Sequence, residues 1–328
     1  MALEEYGAGS GAARLISGHN PLYTQLETTL ARFKQVEASL VFPTGYAANL
    51  GVISALVGRK DAVFCNKLAH ASIIDGCLLS GARLFRFRHN DLEHLKKLLE
   101  KETQYRRRLI VTEGVFSMDG DMAPLVEIYT LAQAFDAILL VDDAHGTGVM
   151  GEKGRGTVAY SGINGGYLIQ IGTLSKAIGA LGGFVAGNKV FIEYLINKAR
   201  PFIFTTALPP SVVAAAKKAV EIMETEPSYW QRLQENISVL RDGLTALGFK
   251  LPPFPTPIIP VIVGASEAAL NLSRKLLQAG IFIPAIRPPT VPKGSARLRI
   301  TVSAAHTRED IERLLDTIAR CAGEEKLL

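Results

Sequence analysis

Three places in the chain set reactive side chains where an apolar run ends. In Ala137-Ile-Leu-Leu-Val-Asp142-Asp143-Ala-His145, a run suited to a buried strand delivers two carboxylates and an imidazole to its tip. In Tyr167–Lys176, a second such run ends in Thr173, Ser175 and Lys176, with glycines at 179, 182 and 183. A lysine among glycines and apolar residues can be desolvated, which lowers its pKa and makes it a nucleophile or base. In Leu40-Val-Phe-Pro-Thr44-Gly45-Tyr46, a Thr-Gly pair opens a helical pattern. Unpaired N–H groups at the positive end of a helix suit a phosphate. Each place alone also fits a plainer role: a helix cap or calcium-like turn, a surface lysine, a simple N-cap. Together, an amine for a Schiff base, an acid to keep a ring nitrogen protonated and a phosphate cradle are what pyridoxal phosphate requires. On the residues alone the chain reads as a cofactor enzyme.

Such tips need a scaffold. Short apolar runs alternate with helical patterns from about residue 40 to 208. Strands are expected at Ala62–Cys65, Arg83–Phe87, Leu109–Thr112, Ala137–Asp142, Tyr167–Gly172, Gly183–Ala186 and Phe202–Thr205. Helices are expected at Tyr46–Val57, Ala71–Leu79, Leu92–Glu102, Leu125–Phe135 and Lys189–Asn197. That alternation predicts an α/β fold, a mostly parallel central sheet with helices on both faces. Ahead of it, Asn20-Pro21 caps a helix whose Leu22, Leu26, Leu30 and Phe33 share a face. After Pro209-Pro210 comes a long helical stretch, broken near Pro227, and then short elements. Strands are expected there at Ile258–Val263, Ile281–Ile286 and Ala296–Thr301, and helices at Ala268–Ala279 and Arg308–Cys321. The division expected is an N-terminal segment and helix (1–35), a large cofactor domain (36–208) and a small C-terminal α+β domain (209–328).

The balance of 36 Lys and Arg against 31 Asp and Glu, a net charge of +5, is mild. The one tight basic run, Arg106-Arg107-Arg108, precedes an apolar strand and reads as a solvated edge, so no nucleic-acid partner is expected. No run approaches the roughly 18 apolar residues of a membrane helix, and the start shows no secretion signal. Three cysteines without a Cys-x-x-Cys point to a reducing cytoplasm and to no disulfide framework or metal site.

The segments Thr-Glu-Gly-Val-Phe-Ser-Met-Asp-Gly-Asp (112–121), Val-Asp-Asp-Ala-His-Gly-Thr-Gly (141–148) and Gly-Thr-Leu-Ser-Lys (172–176) are specific in combination. With them, the chain resembles the α-oxoamine synthase family of fold-type I pyridoxal-phosphate enzymes from Ser10 to about Arg320. Arg14-Leu-Ile-Ser-Gly-His19-Asn-Pro and Ala285-Ile-Arg287-Pro-Pro-Thr-Val-Pro resemble the branch that joins L-alanine to pimeloyl-CoA, or to a pimeloyl carrier protein, on the way to biotin. The alternative within the family is a glycine C-acetyltransferase or another α-oxoamine synthase.

The resemblance implies roles for named residues. Lys176 becomes the Schiff-base lysine and acid/base, Asp142 the partner of the pyridine nitrogen, His145 the donor to the phenolic oxygen, and His70 the ring that stacks on the cofactor. Thr44, Gly45, Tyr46 and Thr173 hold the phosphate, and Glu113 and Ser117 line the reacting face. Thr205 and Thr206 reach the phosphate of a neighbouring subunit, which makes the site a property of a homodimer. Arg299 clamps the amino-acid carboxylate; His19 and Arg287 are placed near substrate, Arg287 either touching the acyl chain or stiffening its loop. Family members carry several dozen further residues ahead of the segment matching Ser10, including part of the small domain and an asparagine on the substrate carboxylate. A short form that binds the cofactor without turnover is therefore a further alternative.

Overall fold

The computed structural model describes residues 1–325. It divides into two units: Met1–Val115 with Ala123–Glu226, and Phe116–Met122 with the chain from Pro227 onward.

The first unit is organised by a seven-stranded sheet. Its strands are β1 Ala38–Phe42, β2 Ala62–Asn66, β3 Arg83–Phe87, β4 Arg108–Glu113, β5 Ile138–Asp142, β6 Leu168–Thr173 and β7 Gly183–Gly187. Their order is β1-β7-β6-β5-β4-β2-β3, and only the pairings that involve β7 are antiparallel. Side chains alternate between the faces of a strand. Leu40, Phe42 and Val185 enter one core with the helices Gly45–Leu56, Ala71–Ser80 and Lys189–Lys198. Val41, Phe184 and Ala186 enter the other, with Pro21–Phe33 and Pro210–Thr225. Coverage of both faces explains why β5 reads as an unbroken apolar run in sequence. The cap predicted at Asn20 is present, its side chain accepting the N–H of Leu22 at 3.1 Å. Leu26, Leu30 and Phe33 of that helix are fully buried, each contributing about 2 kcal/mol by transfer from water.

The second unit carries a three-stranded antiparallel sheet of β8 Ile258–Gly264, β9 Ala285–Ile286 and β10 Ala296–Thr301, in the order β8-β10-β9. Its helices are Pro227–Ala246, Ser266–Gln278 and Arg308–Glu324, the last opened by a capping box of Thr307 and Asp310. The excursion Phe116–Met122 belongs here. Arg297 donates to Asp119 at 2.6 Å and to the Met118 carbonyl at 3.2 Å, and Thr256 donates to the Gly120 carbonyl at 2.6 Å. Gly120 is required at that turn: a Cβ there would lie 2.0 Å from the Ile258 carbonyl oxygen. Among the described residues no helix is long and apolar enough to cross a membrane.

Three expectations change and one strand is added. Phe202–Thr205 is no strand; Arg200–Ile203 is a short helix with proline at its start. The aromatic and β-branched run suits a strand, but Phe202 is drawn into the core, where its ring also receives the Arg14 guanidinium at 5.0 Å. The run before Thr44 is itself strand β1. Of Ile281–Ile286 only Ala285 and Ile286 pair as strand, since Pro284 has no N–H for a ladder. The break between units falls at Glu226–Pro227 rather than at Pro209–Pro210. Pro210 starts a helix whose Val213, Ala216 and Val220 pack into the first unit's core.

Candidate active site

Parallel pairing brings the carboxyl ends of the central strands level. Glu113 of β4 stands beside Asp142 of β5, and Asp142 beside Ile171 of β6. His70, His145 and Lys176 follow directly beyond these ends, where open α/β sheets bind ligands.

Asp142 is the most informative of them. It is only 6 % exposed. One carboxylate oxygen accepts the N–H of Ala144 at 3.0 Å, and the other accepts from the Asn49 amide at 2.7 Å. Burial pushes its carboxyl above the ordinary range; the Asn49 amide, the Ala144 N–H, the Lys176 ammonium and His70 pull the other way without cancelling it. A carboxylate so placed gains from a cationic partner.

The adjacent Asp143 has a different task. Its Oδ2 accepts from Lys34 Nζ at 2.7 Å, and both side chains are wholly buried. Lys34 also donates to the Arg155 carbonyl at 2.6 Å and to Thr147 Oγ1 at 3.2 Å. Thr157 donates its N–H and its hydroxyl to Asp143 Oδ1 at 3.1 and 2.6 Å. Glycines close around this carboxylate: a Cβ on Gly146 or Gly156 would fall 2.1 or 1.8 Å from an Asp143 oxygen. The Asp-Asp pair thus splits into one acid facing the strand tips and one that fastens the loop carrying His145.

The remaining predicted residues of the first unit lie as follows. His70 caps the helix Ala71–Ser80, its Nδ1 accepting the Ser72 N–H at 3.2 Å, while its own N–H donates to Glu113 Oε1 at 2.7 Å. Thr44 caps the helix Gly45–Leu56 by accepting the Ala47 N–H at 3.0 Å. That leaves the N–H groups of Gly45 and Tyr46 in a first turn, where no intrahelical acceptor exists. A Cβ on Gly45 would lie 3.4 Å from Thr173 Cβ, so Thr173 flanks the helix start. Gly183 permits this approach, since a Cβ there would stand 2.5 Å from the Gly45 nitrogen. Thr173 accepts the Ser175 N–H at 3.1 Å and donates to the Gly182 carbonyl at 3.1 Å, which shapes the turn before Lys176. Lys176 is exposed rather than desolvated. His145 is half-buried, Tyr46 hydrogen-bonds Asp75 at 2.5 Å, and Thr206 bridges to Ala13 with Thr205 beside it. His19 engages Arg14 at 2.9 Å and Thr24 at 3.1 Å, and burial followed by the Arg14 charge lowers its pKa. Arg14 itself is held by Glu27 and lies 4.1 Å over the Tyr23 ring, so the Arg14–His19 segment is built around a buried cation.

In the second unit, Arg299 donates to the Ser117 carbonyl at 2.6 Å and to Thr301 Oγ1 at 3.0 Å. It is half-buried, and burial alone shifts its pKa, downward. The nearby Asp119 carboxylate pairs instead with Arg297, at 2.6 Å. Arg287 is exposed beside the cis Pro288–Pro289 bond. Sequence reasoning missed Asn49, Ser72 and Lys34. Asn49 and Lys34 make their contacts across long stretches of chain, to Asp142 over 93 residues and to Asp143 over 109, while Ser72 joins its near neighbour His70 to Asn49, 23 residues away.

Comparison with known proteins agrees with this geometry. The family model for aminotransferase class I and II matches residues 2–318. The chain is 58 % identical over 323 residues to a putative 8-amino-7-oxononanoate synthase of Desulforudis audaxviator, covering 98 % of this chain and 84 % of that one. It is 52 % identical over 328 residues to the 8-amino-7-oxononanoate synthase of Symbiobacterium thermophilum, covering 100 % and 84 %. Among solved structures, a serine palmitoyltransferase of S. paucimobilis bearing a pyridoxal-phosphate–myriocin adduct superposes with a TM-score of 0.95 at 37 % identity, covering 100 % of this chain and 83 % of that one. The 8-amino-7-oxononanoate synthase of Francisella tularensis gives 0.84 at 31 % identity, covering 99 % and 92 %.

Proposed function

The chain belongs to the class I and II aminotransferase family and, within it, to the 8-amino-7-oxononanoate synthases, and from that membership we propose that it condenses L-alanine with a pimeloyl thioester. The bond formed joins the alanine Cα to the pimeloyl carbonyl carbon. The carbon–sulfur bond breaks, the thiol leaves, and the alanine carboxyl departs as carbon dioxide. The product is 8-amino-7-oxononanoate, and the acyl donor is pimeloyl-CoA or a pimeloyl carrier protein.

The observation that carries this reading is the buried Asp142 among Lys176, His70 and Glu113 at the strand tips. Pyridoxal phosphate fits that set. A buried carboxylate with a raised pKa is relieved by a protonated pyridine nitrogen, and the Gly45 helix start beside Thr173 suits a phosphate. When bound, the cofactor supplies an electron sink at the substrate Cα. Lys176 anchors it covalently and then takes and returns the Cα proton. Asp142 keeps the ring nitrogen protonated, His145 donates to the phenolic oxygen, and His70 covers the ring. Thr44, Gly45, Tyr46 and Thr173 receive the phosphate, joined by Thr205 and Thr206 from the second subunit of a homodimer. Glu113 and Ser117 border the reacting face. Arg299, a half-buried guanidinium with no carboxylate partner among the described residues, orients the alanine carboxylate. His19 and Arg287 complete the substrate contacts. The three buried free cysteines accord with a reducing, cytoplasmic setting.

Free-thiol release by the purified chain with pyridoxal phosphate tests the reading. L-Alanine with pimeloyl-CoA should release thiol; glycine with acetyl-CoA should not. The serine palmitoyltransferase likeness makes L-serine with a long-chain acyl-CoA the third pair to run. Release with either control pair and none with the first would replace this reading.

A further inference from the structure

Two buried side chains beside Asp142 have no part in the roles above. Asn49 is 2 % exposed and Ser72 is 1 % exposed. The Asn49 amide nitrogen donates one hydrogen to Asp142 Oδ2 at 2.7 Å and the other to Ser72 Oγ at 3.0 Å. Its carbonyl oxygen is buried and makes no hydrogen bond. The amide is therefore oriented by what its nitrogen serves. Turned over, it would set an oxygen against the carboxylate and take both hydrogens away from their acceptors. Ser72 Oγ lies 2.8 Å from His70 Nδ1, and that nitrogen also accepts the Ser72 backbone N–H at 3.2 Å. A nitrogen that accepts a backbone N–H carries no proton, so the Ser72 hydroxyl directs its own proton there and the ring proton sits on Nε2.

We infer that Asn49 and Ser72 are positioning residues that join the Asp142 carboxylate to the His70 ring through one directed hydrogen-bond path, Asn49 aiming the acid and Ser72 fixing the tautomer. The inference rests on the proposed cofactor roles of Asp142 and His70. Geometry makes the path: every donor on it has one acceptor to serve, and a change at either end disturbs the next group. The charged and titratable groups facing Asp142 are Lys176, His70 and, on the neighbouring strand, Glu113; Asp143 is turned away and paired to Lys34. Against the burial that raises the Asp142 carboxyl, the Asn49 hydrogen bond is the strongest counterweight. Its loss makes Asp142 a weaker acid and moves the acid limb of cofactor affinity to higher pH.

The test measures pyridoxal-phosphate binding from the carboxylate range to neutrality, by absorbance after equilibrium dialysis, for wild type, Asn49→Leu and Ser72→Ala. Asn49→Leu should move the acid limb up by about one pH unit and weaken binding at neutrality about tenfold, as loss of one charge-assisted hydrogen bond implies. A loss equal at every pH, or no loss, would overturn the Asn49 assignment. Should Asn49→Leu fail to fold, Asn49→Ala carries the same expectation. In the ligand-free chain, ¹⁵N resonances of His70 should report a single Nε2–H tautomer for wild type and a mixture for Ser72→Ala. One and the same tautomer in both overturns the Ser72 assignment. A wild type that binds no pyridoxal phosphate at any pH would remove the functional reading instead, and the tautomer measurement would still decide the path.

Discussion

Replacing Lys34 with methionine should destabilise the protein more than any surface change. Lys34 and Asp143 form an ion pair at 2.7 Å with both side chains fully buried. Lys34→Met keeps the volume but leaves a buried carboxylate without its cation, and removing one partner of such a pair costs about 3–5 kcal/mol. The surroundings do not relax easily. Asp143 is enclosed by Gly114, Gly146 and Gly156, and its remaining bonds come from Thr147 and Thr157. The melting temperature should fall by about 10 °C, at roughly 2–4 °C per kcal/mol for a unit of this size. The Lys34→Met/Asp143→Asn double variant removes both charges. It should be less destabilised than the two single losses summed, by about 2 kcal/mol. Thermal and urea denaturation of the four proteins measure the cycle. A single-variant cost below about 1 kcal/mol, or strict additivity, would refute the view that this pair anchors the His145 loop.

Asp142 gives a pH prediction. Its folded pKa is raised by burial, so the neutral form is favoured in the fold; the corresponding stability is fully present below the ordinary carboxylate pKa and is lost as pH rises through the raised value. Asp142→Asn should therefore gain on ligand-free wild type as pH rises from that range to neutrality, and urea titrations at several pH values that show a constant difference would contradict this. Gly156→Ala should cost several kcal/mol, since its φ of 108° is unfavourable for a side chain and a Cβ would strike Asp143 at 1.8 Å; a melt within 2 °C of wild type, a margin set at roughly 1 kcal/mol, would be evidence against it. Arg299→Lys should raise KM for L-alanine about tenfold or more while the KM for the acyl thioester stays near wild type, because a lysine cannot reproduce the planar fork; equal changes in both would argue against a carboxylate clamp.

The sequence discloses the site wherever a local pattern encodes it. Val141-Asp142-Asp143 and Thr173–Lys176 end strands that are buried on both faces, so apolar runs advertise the tips. Thr44 is visible as a cap because its bond reaches only three residues ahead, to the Ala47 N–H. What stays hidden depends on partners distant in the chain. Nothing local tells Asp142 from Asp143; the difference is Asn49 for one and Lys34 for the other. Asn49 lies within a largely apolar helix, where an asparagine has no local signature of purpose. Phe202 misleads for the same reason: its strand-like neighbours are overruled by a core position and by Arg14. The unit boundary is also non-local, since the helix from Pro210 is assigned by what its Val213 and Val220 face pack against.

The proposed reaction is a decarboxylating condensation rather than an amino transfer or cofactor binding alone. The most direct test supplies L-alanine labelled with ¹³C at the carboxyl together with pimeloyl-CoA, and measures labelled carbon dioxide and free thiol in the same reaction. The two should appear in equal amounts, both dependent on Lys176. Thiol without labelled carbon dioxide, or pyruvate formation with neither, would contradict it.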